Sequence, residues 1–221
     1  SGLVAKRHKV FPNASELEGF REQASAVRRK TLSRLPELLE LLEFNCERNG
    51  IRVHWAETTE EANRIVLDIA NEAEVRLAVK GKSMVSEEMG LNAFLEEHGI
   101  EALESDLGEY IIQVDKELPS HIIMPAIHKN LEEISKLFQE KVDSNSTSET
   151  AEEMTATARK ILRKKFHDAD MGLSGVNFAV AETGTLCLVE NEGNGRFCTT
   201  LPKIHVALMG IEKVVESLQD L

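Results

Sequence analysis

Glu190-Asn191-Glu192-Gly193-Asn194-Gly195-Arg196 is a polar knot set inside an apolar, alternating stretch. Its glycines permit positive φ and a close approach of backbone to a ligand. Asn191 and Asn194 can each donate and accept hydrogen bonds. Arg196 can grip a carboxylate through two parallel bonds. Glu182, Glu190 and Glu192 lie near enough in sequence to orient that arginine or to abstract a proton. A plain turn needs two or three such residues. The knot is therefore read as a loop between strands that borders a ligand pocket, against the plainer alternative of a solvated hairpin loop.

Three further groups could do chemistry. Lys80-Gly81-Lys82-Ser83 stands where a strand enters a helix, and resembles the tail of a phosphate loop. The first glycine of such a loop is replaced by Arg76, which argues against nucleotide hydrolysis. Lys82, with Ser83 as helix cap, could still hold a carboxylate or phosphate; an ordinary capped helix with a solvent lysine is the alternative. Asp106-Leu107-Gly108-Glu109 places two acids after a strand, with Glu109 a candidate base and a simple helix start the alternative. His128 follows Pro125 at a predicted strand end and could exchange a proton near neutral pH. No third ligand accompanies His121 and His128 at a metal-site spacing, so no metal is expected.

These residues need a scaffold that brings strand ends together. Ser15 to Asn49 reads as helix, broken near Pro36, with Ser15 and Glu18 as a capping box. Ile51–Trp55, Val75–Val79, Ile100–Leu103 and His121–Met124 read as strands. A helix capped by Thr58 or Thr59, one from Ser83 to His98, and one from Leu131 to Val142 lie among them. Tyr110-Ile111-Ile112 is a short apolar segment, and Asp143 to Thr150 a polar hinge. A long helix carries Met154, Ala158, Ile161, Leu162 and Phe166 on one face. Strands at Gly175–Ala181, Thr185–Val189 and Ile204–Met209 and a last helix from Ile211 complete the chain. The expected fold is α/β: a mainly parallel sheet flanked by helices, with an added antiparallel hairpin turning at Glu182-Thr183-Gly184, preceded by N-terminal helices. Residues 1–50 are taken as the N-terminal helical segment and 51–221 as the α/β domain.

The totals narrow the function classes. A chain of 221 residues can bury a substantial core, and its net charge of −12 is a poor match for nucleic acid or an anionic membrane. Cys46, Cys187 and Cys198 are too few and too scattered for a disulfide scaffold, a zinc ribbon or an iron–sulfur cluster within the chain. No apolar run is long enough to span a bilayer, so no membrane insertion is expected and the cytoplasm is the expected compartment.

Several stretches together carry a family resemblance. They are Lys82-Ser83-Met84-Val85-Ser86-Glu87-Glu88, Glu104-Ser105-Asp106-Leu107-Gly108-Glu109, Pro119-Ser120-His121-Ile122 and Pro125-Ala126-Ile127-His128-Lys129-Asn130. Leu162-Arg163-Lys164-Lys165-Phe166, Asn177-Phe178-Ala179-Val180-Ala181-Glu182-Thr183-Gly184, Asn191 to Arg196, and Leu201-Pro202-Lys203 follow in the same order. The chain resembles, over nearly its whole length, the LUD domain of the lactate utilization protein B family. The resemblance implies a fold like that of sugar-phosphate isomerases and family I CoA transferases. It implies a role in oxidising L-lactate to pyruvate with lactate utilization proteins A and C as partners, and two 4Fe–4S clusters in a C-terminal region beyond this chain. It also leads us to expect an N-terminal fragment, inactive in electron transfer on its own. Asn177, Glu182 and Thr183 then join Lys82, Ser83, Asn191, Asn194 and Arg196 as ligand-facing candidates. Arg196 or Lys82 would hold the carboxylate of a small 2-hydroxy or 2-oxo acid, and Glu192, His128 or Glu109 would exchange a proton.

Three other functions remain open. An acyl-CoA transferase-like enzyme would use a glutamate in a Glu-Asn-Gly context; here Glu192 interrupts Glu190-Asn191 before Gly193, which breaks the pattern. A non-catalytic assembly module would dock partner subunits. Phosphosugar isomerisation rests on fold analogy alone.

Overall fold

Helix caps fix much of the architecture. The computed structural model describes residues 2–121, 124–143 and 150–221. α1 (Gly2–Val10) precedes α2 (Ala14–Ser33) and α3 (Leu35–Arg48), which part at Arg34 just ahead of Pro36. Asn13, rather than Ser15, caps α2: its side chain accepts from the Ser15 backbone N–H. Thr58 caps α4 (Thr59–Glu72), and β1 (Leu77–Gly81) follows. Ser83 caps α5 (Met84–Glu88), but left-handed Gly90 ends that helix early and starts α6 (Leu91–Glu97). β2 (Glu101–Glu104) leads to Asp106, which caps α7 (Leu107–Asp115), so the apolar segment around Tyr110 is a helix. α8 (Leu131–Leu137) runs into a π-helical turn, Phe138–Val142. α9 (Ala151–Asp168) is closed at its start by a Thr150–Glu153 capping box, and buries Met154, Ala158, Leu162 and Phe166 as its spacing predicts.

The remaining elements depart further from the sequence reading. The strand expected at Gly175–Ala181 is shortened to β4 (Phe178–Val180), and β3 (Met171–Gly175), which the sequence reading missed, precedes it in a different sheet. β5 (Thr185–Cys187) pairs antiparallel with β4 around the expected turn. The polar knot is not a loop between strands. Gly193, at φ 89°, turns the chain into α10 (Asn194–Thr200), so Asn194, Gly195 and Arg196 form its first turn. β6 (Ile204–Leu208) follows. The helix expected from Ile211 is absent. Short 3-10 turns at Ile211–Lys213 and Leu218–Asp220 flank β7 (Val214–Val215), because the two buried valines pair with β4. Ile51–Trp55 forms no strand, and its side chains are mostly exposed. The strand expected at His121–Met124 and the hinge at Asp143 to Thr150 fall partly outside the described residues.

Two compact units result. One comprises Ser1–Val53, Asn177–Cys187 and Gly210–Leu221, and the other His54–Val176 and Leu188–Met209. The first packs α2 and α3 on a mixed sheet of order β5-β4-β7. Gly184 (φ +66°) is its tightest point: a Cβ there would lie 2.6 Å from the backbone of Asn45 and Cys46 on α3. The second is a parallel sheet of order β2-β1-β3-β6 with helices on both faces. Ala78, Ala102, Met171 and Leu173 face Val66, Ala70, Leu91 and Leu95 from α4 and α6. Val79 points the other way, into Tyr110, Ile111, Met154, Leu162 and Phe166 from α7 and α9. Among the described residues, no helix is long and apolar enough to cross a membrane.

The strand order sets the site. From β1 the chain proceeds to the β2 side, and from β3 to the β6 side, so the topology switches between β1 and β3, beyond whose carboxyl ends ligands bind in sheets of this kind. Gly175 lets the end of β3 touch the backbone of Lys82 and Ser83, which a side chain there would prevent.

Candidate functional site

The loop after β1 is strained. Lys82 adopts left-handed φ (60°), uncommon for a residue with a Cβ, and a feature that gathers at functional positions. Its ammonium bonds Asp106 Oδ2 at 2.6 Å, tying the end of β1 to the start of α7. Glu192 lies within electrostatic reach of both; partial burial and the Asp106 charge raise its carboxyl above the usual range, with Lys82 opposing. Ser83 is buried, and its hydroxyl is occupied by the Ser86 N–H.

Asn194 lies near the end of β1. It is 5% exposed, and neither its Oδ1 nor its Nδ2 has a hydrogen-bond partner among the described residues. Buried amides are nearly always bonded, so an open one stands out. A Cβ on Gly81 would come within 3.5 Å of Asn194 Nδ2 and Cys198 Sγ and 2.8 Å of Ser105 Oγ, which locates that amide over the end of β1. Arg196 is anchored by its backbone, whose N–H donates to Glu190 Oε2 at 2.8 Å. Its guanidinium is 3.9 Å from the same carboxylate and largely exposed, so it is free to turn toward a ligand. Asn191 is exposed in the bend before α10. Burial raises the Cys198 thiol to about 11, which makes it a poor nucleophile.

A second focus lies beside this one. Lys80 is 1% exposed and forms ion pairs with Glu87 and, at 2.6 Å, with Glu104, its register partner across the β1–β2 ladder. Burial alone would lower the Lys80 pKa; the two carboxylates outweigh it and keep the amine charged. Burial raises Glu104, partly offset by Lys80. Glu109 is raised to about 8, first by burial and then by the charge of Glu104, so it is protonated at neutral pH. That proton suits Glu104 Oε2, a buried oxygen that otherwise has no donor among the described residues. Glu87, Glu104 and Glu109 line a cavity of about 400 Å³ together with Asn92, Glu96, Glu117 and apolar walls that include Met84, Ile112 and Pro125.

Of the other candidates, His128 adjoins the second focus through Ser120 and Glu117, which both line its cavity. His128 bonds Ser120 Oγ at 2.7 Å through Nδ1 and Glu117 Oε2 at 2.9 Å through Nε2. Neighbouring Lys129 clamps Asp115 and Glu117, at 2.5 and 2.9 Å. Asn177, Glu182 and Thr183 belong to the other unit and serve its packing. The Asn177 N–H donates to Cys187 O, Glu182 Oε1 accepts from Leu218 N, and Thr183 O accepts from Asn49 Nδ2. Asn45 Nδ2 completes that turn by donating to Ala181 O at 2.8 Å and Glu182 O at 3.2 Å. Sequence reasoning missed Lys80, Glu87, Asn92 and Glu104 as a group. One signal was available: Lys80 is a lone charge in the apolar run Leu77–Gly81, and Glu104 occupies the matching end of the next strand.

Comparison with known proteins decides the family. Residues 39–221 match the LUD domain. The chain belongs to the LUD domain family. It is 45% identical over 219 residues to "Lactate utilization protein B" from Bacillus cereus (strain AH820) and from Bacillus thuringiensis (strain Al Hakam). It is 43% identical over 218 residues to an Escherichia coli (strain K12) protein described as "Uncharacterized electron transport protein YkgF". Each alignment covers 99% of this chain and 46% of the relative, so this LUD domain chain spans about half the length of the curated relatives it matches. No solved structure matches it. Among its described residues, no group of three or more His, Cys, Asp or Glu side chains is placed to hold a metal ion. The described part of this LUD domain therefore offers no fit for an iron–sulfur cluster.

Proposed function

We propose that this LUD domain takes part in lactate utilization, binding a small 2-hydroxy or 2-oxo acid beyond the carboxyl ends of β1 and β3. Similarity to lactate utilization protein B supports the process. The observation that carries the site is the buried Asn194 amide with neither polar atom bonded. In this reading Asn194 bonds the substrate's oxygen atoms, Arg196 turns inward to its carboxylate, and Glu192 accepts the hydroxyl proton. Oxidation to the 2-oxo acid also requires loss of the C2 hydrogen and of two electrons, for which these residues supply no acceptor; the two 4Fe–4S clusters that the family resemblance implies for a longer protein would supply electron acceptance. Lactate utilization proteins A and C are the proposed partners.

A second reading is favoured by a specific contact. Lys82 is already neutralised by Asp106, and Glu190 and Glu192 add negative charge nearby, a field that repels a free carboxylate. The domain would then serve to dock partner subunits. Calorimetric titration with L-lactate and pyruvate separates the two readings. Saturable binding that is lost in Asn194→Leu and weakened in Arg196→Ala supports the substrate site. No binding by the folded wild type overturns it and leaves the docking role.

A further inference from the structure

The cavity beside β2 holds more acceptors than the chain gives donors. Glu104 is 3% exposed; its Oε1 receives Lys80 Nζ at 2.6 Å and Asn92 Nδ2 at 2.5 Å. Its Oε2 has no donor among the described residues beyond the proton of Glu109, and Asn92 Oδ1, buried on the same wall, has none. Lys80 is held between Glu104 and Glu87. Five glutamates line the space: Glu87, Glu96, Glu104, Glu109 and Glu117. Buried acceptors left without donors are costly, and carboxylates in a partly apolar cleft concentrate negative potential.

We propose that this cavity binds a small aliphatic ammonium ion, whose N–H groups bond Glu104 Oε2 and Asn92 Oδ1 and whose carbon chain lies along Met84, Ile112 and Pro125. An ammonium brings three donors and the missing positive charge on an apolar stem. A carboxylate ligand would add one more acceptor to a space already short of donors. The volume of about 400 Å³ falls in the range of small-ligand sites. In the free domain the proton on Glu109 fills the donor role at Glu104. The bound cation takes over that role, so binding expels the proton to solvent near neutral pH. The charged groups acting on Glu109 are Glu104 at the end of β2, Asp106 at the start of α7 and Lys80 from β1; Glu87, Glu96, Glu117 and His121 complete the rim. The site is distinct from the one proposed at Asn194, and its test is independent of lactate binding.

The test is calorimetric titration with putrescine (butane-1,4-diammonium) and with butane-1,4-diol at pH 7, in about 0.15 M salt to screen diffuse attraction. Putrescine is expected to bind saturably, and the diol not at all. The heat of putrescine binding should differ between buffers of different ionisation enthalpy, reporting the released proton. Glu104→Gln should weaken binding by about tenfold or more, the scale of losing one buried charged partner. Met84→Trp, which fills the cavity and changes no charge, should abolish binding and carries the test if Glu104→Gln fails to fold. Equal responses to diamine and diol, no putrescine binding, or binding indifferent to the folded variants would each overturn the proposal.

Discussion

Replacing Glu109 by glutamine should make the protein more stable at alkaline pH. A carboxyl that titrates near 4.5 in the unfolded chain titrates near 8 when folded, held up by burial and by Glu104. Between those values the unfolded chain has released a proton that the folded chain retains. Raising the pH therefore favours unfolding, and stability falls as pH climbs from about 5 to about 8. At about 1.4 kcal/mol per pH unit, the full interval corresponds to roughly 5 kcal/mol. Glu104 and Glu109 share one proton and titrate as a pair, so a net loss of about 2–4 kcal/mol is the expected scale. The glutamine side chain of the Glu109→Gln variant cannot ionise, yet its amide N–H can still donate to Glu104 Oε2. Urea unfolding of wild type and Glu109→Gln, followed by the fluorescence of Trp55 in the same unit, would be measured from pH 5 to pH 9. The two should be similar at pH 5 and diverge as pH rises, with the variant about 2 kcal/mol or more stabler at pH 9. Parallel curves across that range would refute the reasoning, because they would show that Glu109 does not carry the proton.

Three further outcomes test the scaffold. Gly184→Ala forces a side chain into left-handed backbone against α3, and should cost about 2 kcal/mol or more in chemical denaturation. Asn45→Ala strands two carbonyls of the β4–β5 turn and should cost about 1–3 kcal/mol, read as a lowered denaturation midpoint. Cys198, buried and raised to about 11, should resist iodoacetamide at pH 8 until the protein unfolds, whereas half-buried Cys187 reacts first; peptide mass mapping distinguishes the two.

Local signals read well where one stretch of chain settles its own structure. Helix caps at Thr58 and Ser83 and the 3.6-residue spacing of α9 depend on neighbours a few residues apart, and the sequence carries them directly. The order of helices and apolar strands likewise announced an α/β fold with a parallel sheet. Reading failed where distant segments compete for the same residues. Met171 to Gly175, rich in glycine, carries no clear strand signal, yet β3 forms there by pairing with β1 and β6, while β4 pairs with β5 and β7. Val214-Val215 looks like the start of a helix until β4 provides a ladder.

The same division holds for the candidate site. The sequence by itself named Lys82, Glu109, Glu192, Asn194 and Arg196, since residue type and position after a strand or beside a glycine are local properties. Tertiary structure alone decided which of these groups are paired and which remain open. Lys82 is paired with Asp106, Asn194 is left without partners among the described residues, and Glu109 keeps its proton because it is buried with Glu104 packed against it. Protonation and pairing depend on burial and on separations of a few ångströms between segments far apart in the chain, and those distances exist only once β1, β2 and α7 have come together.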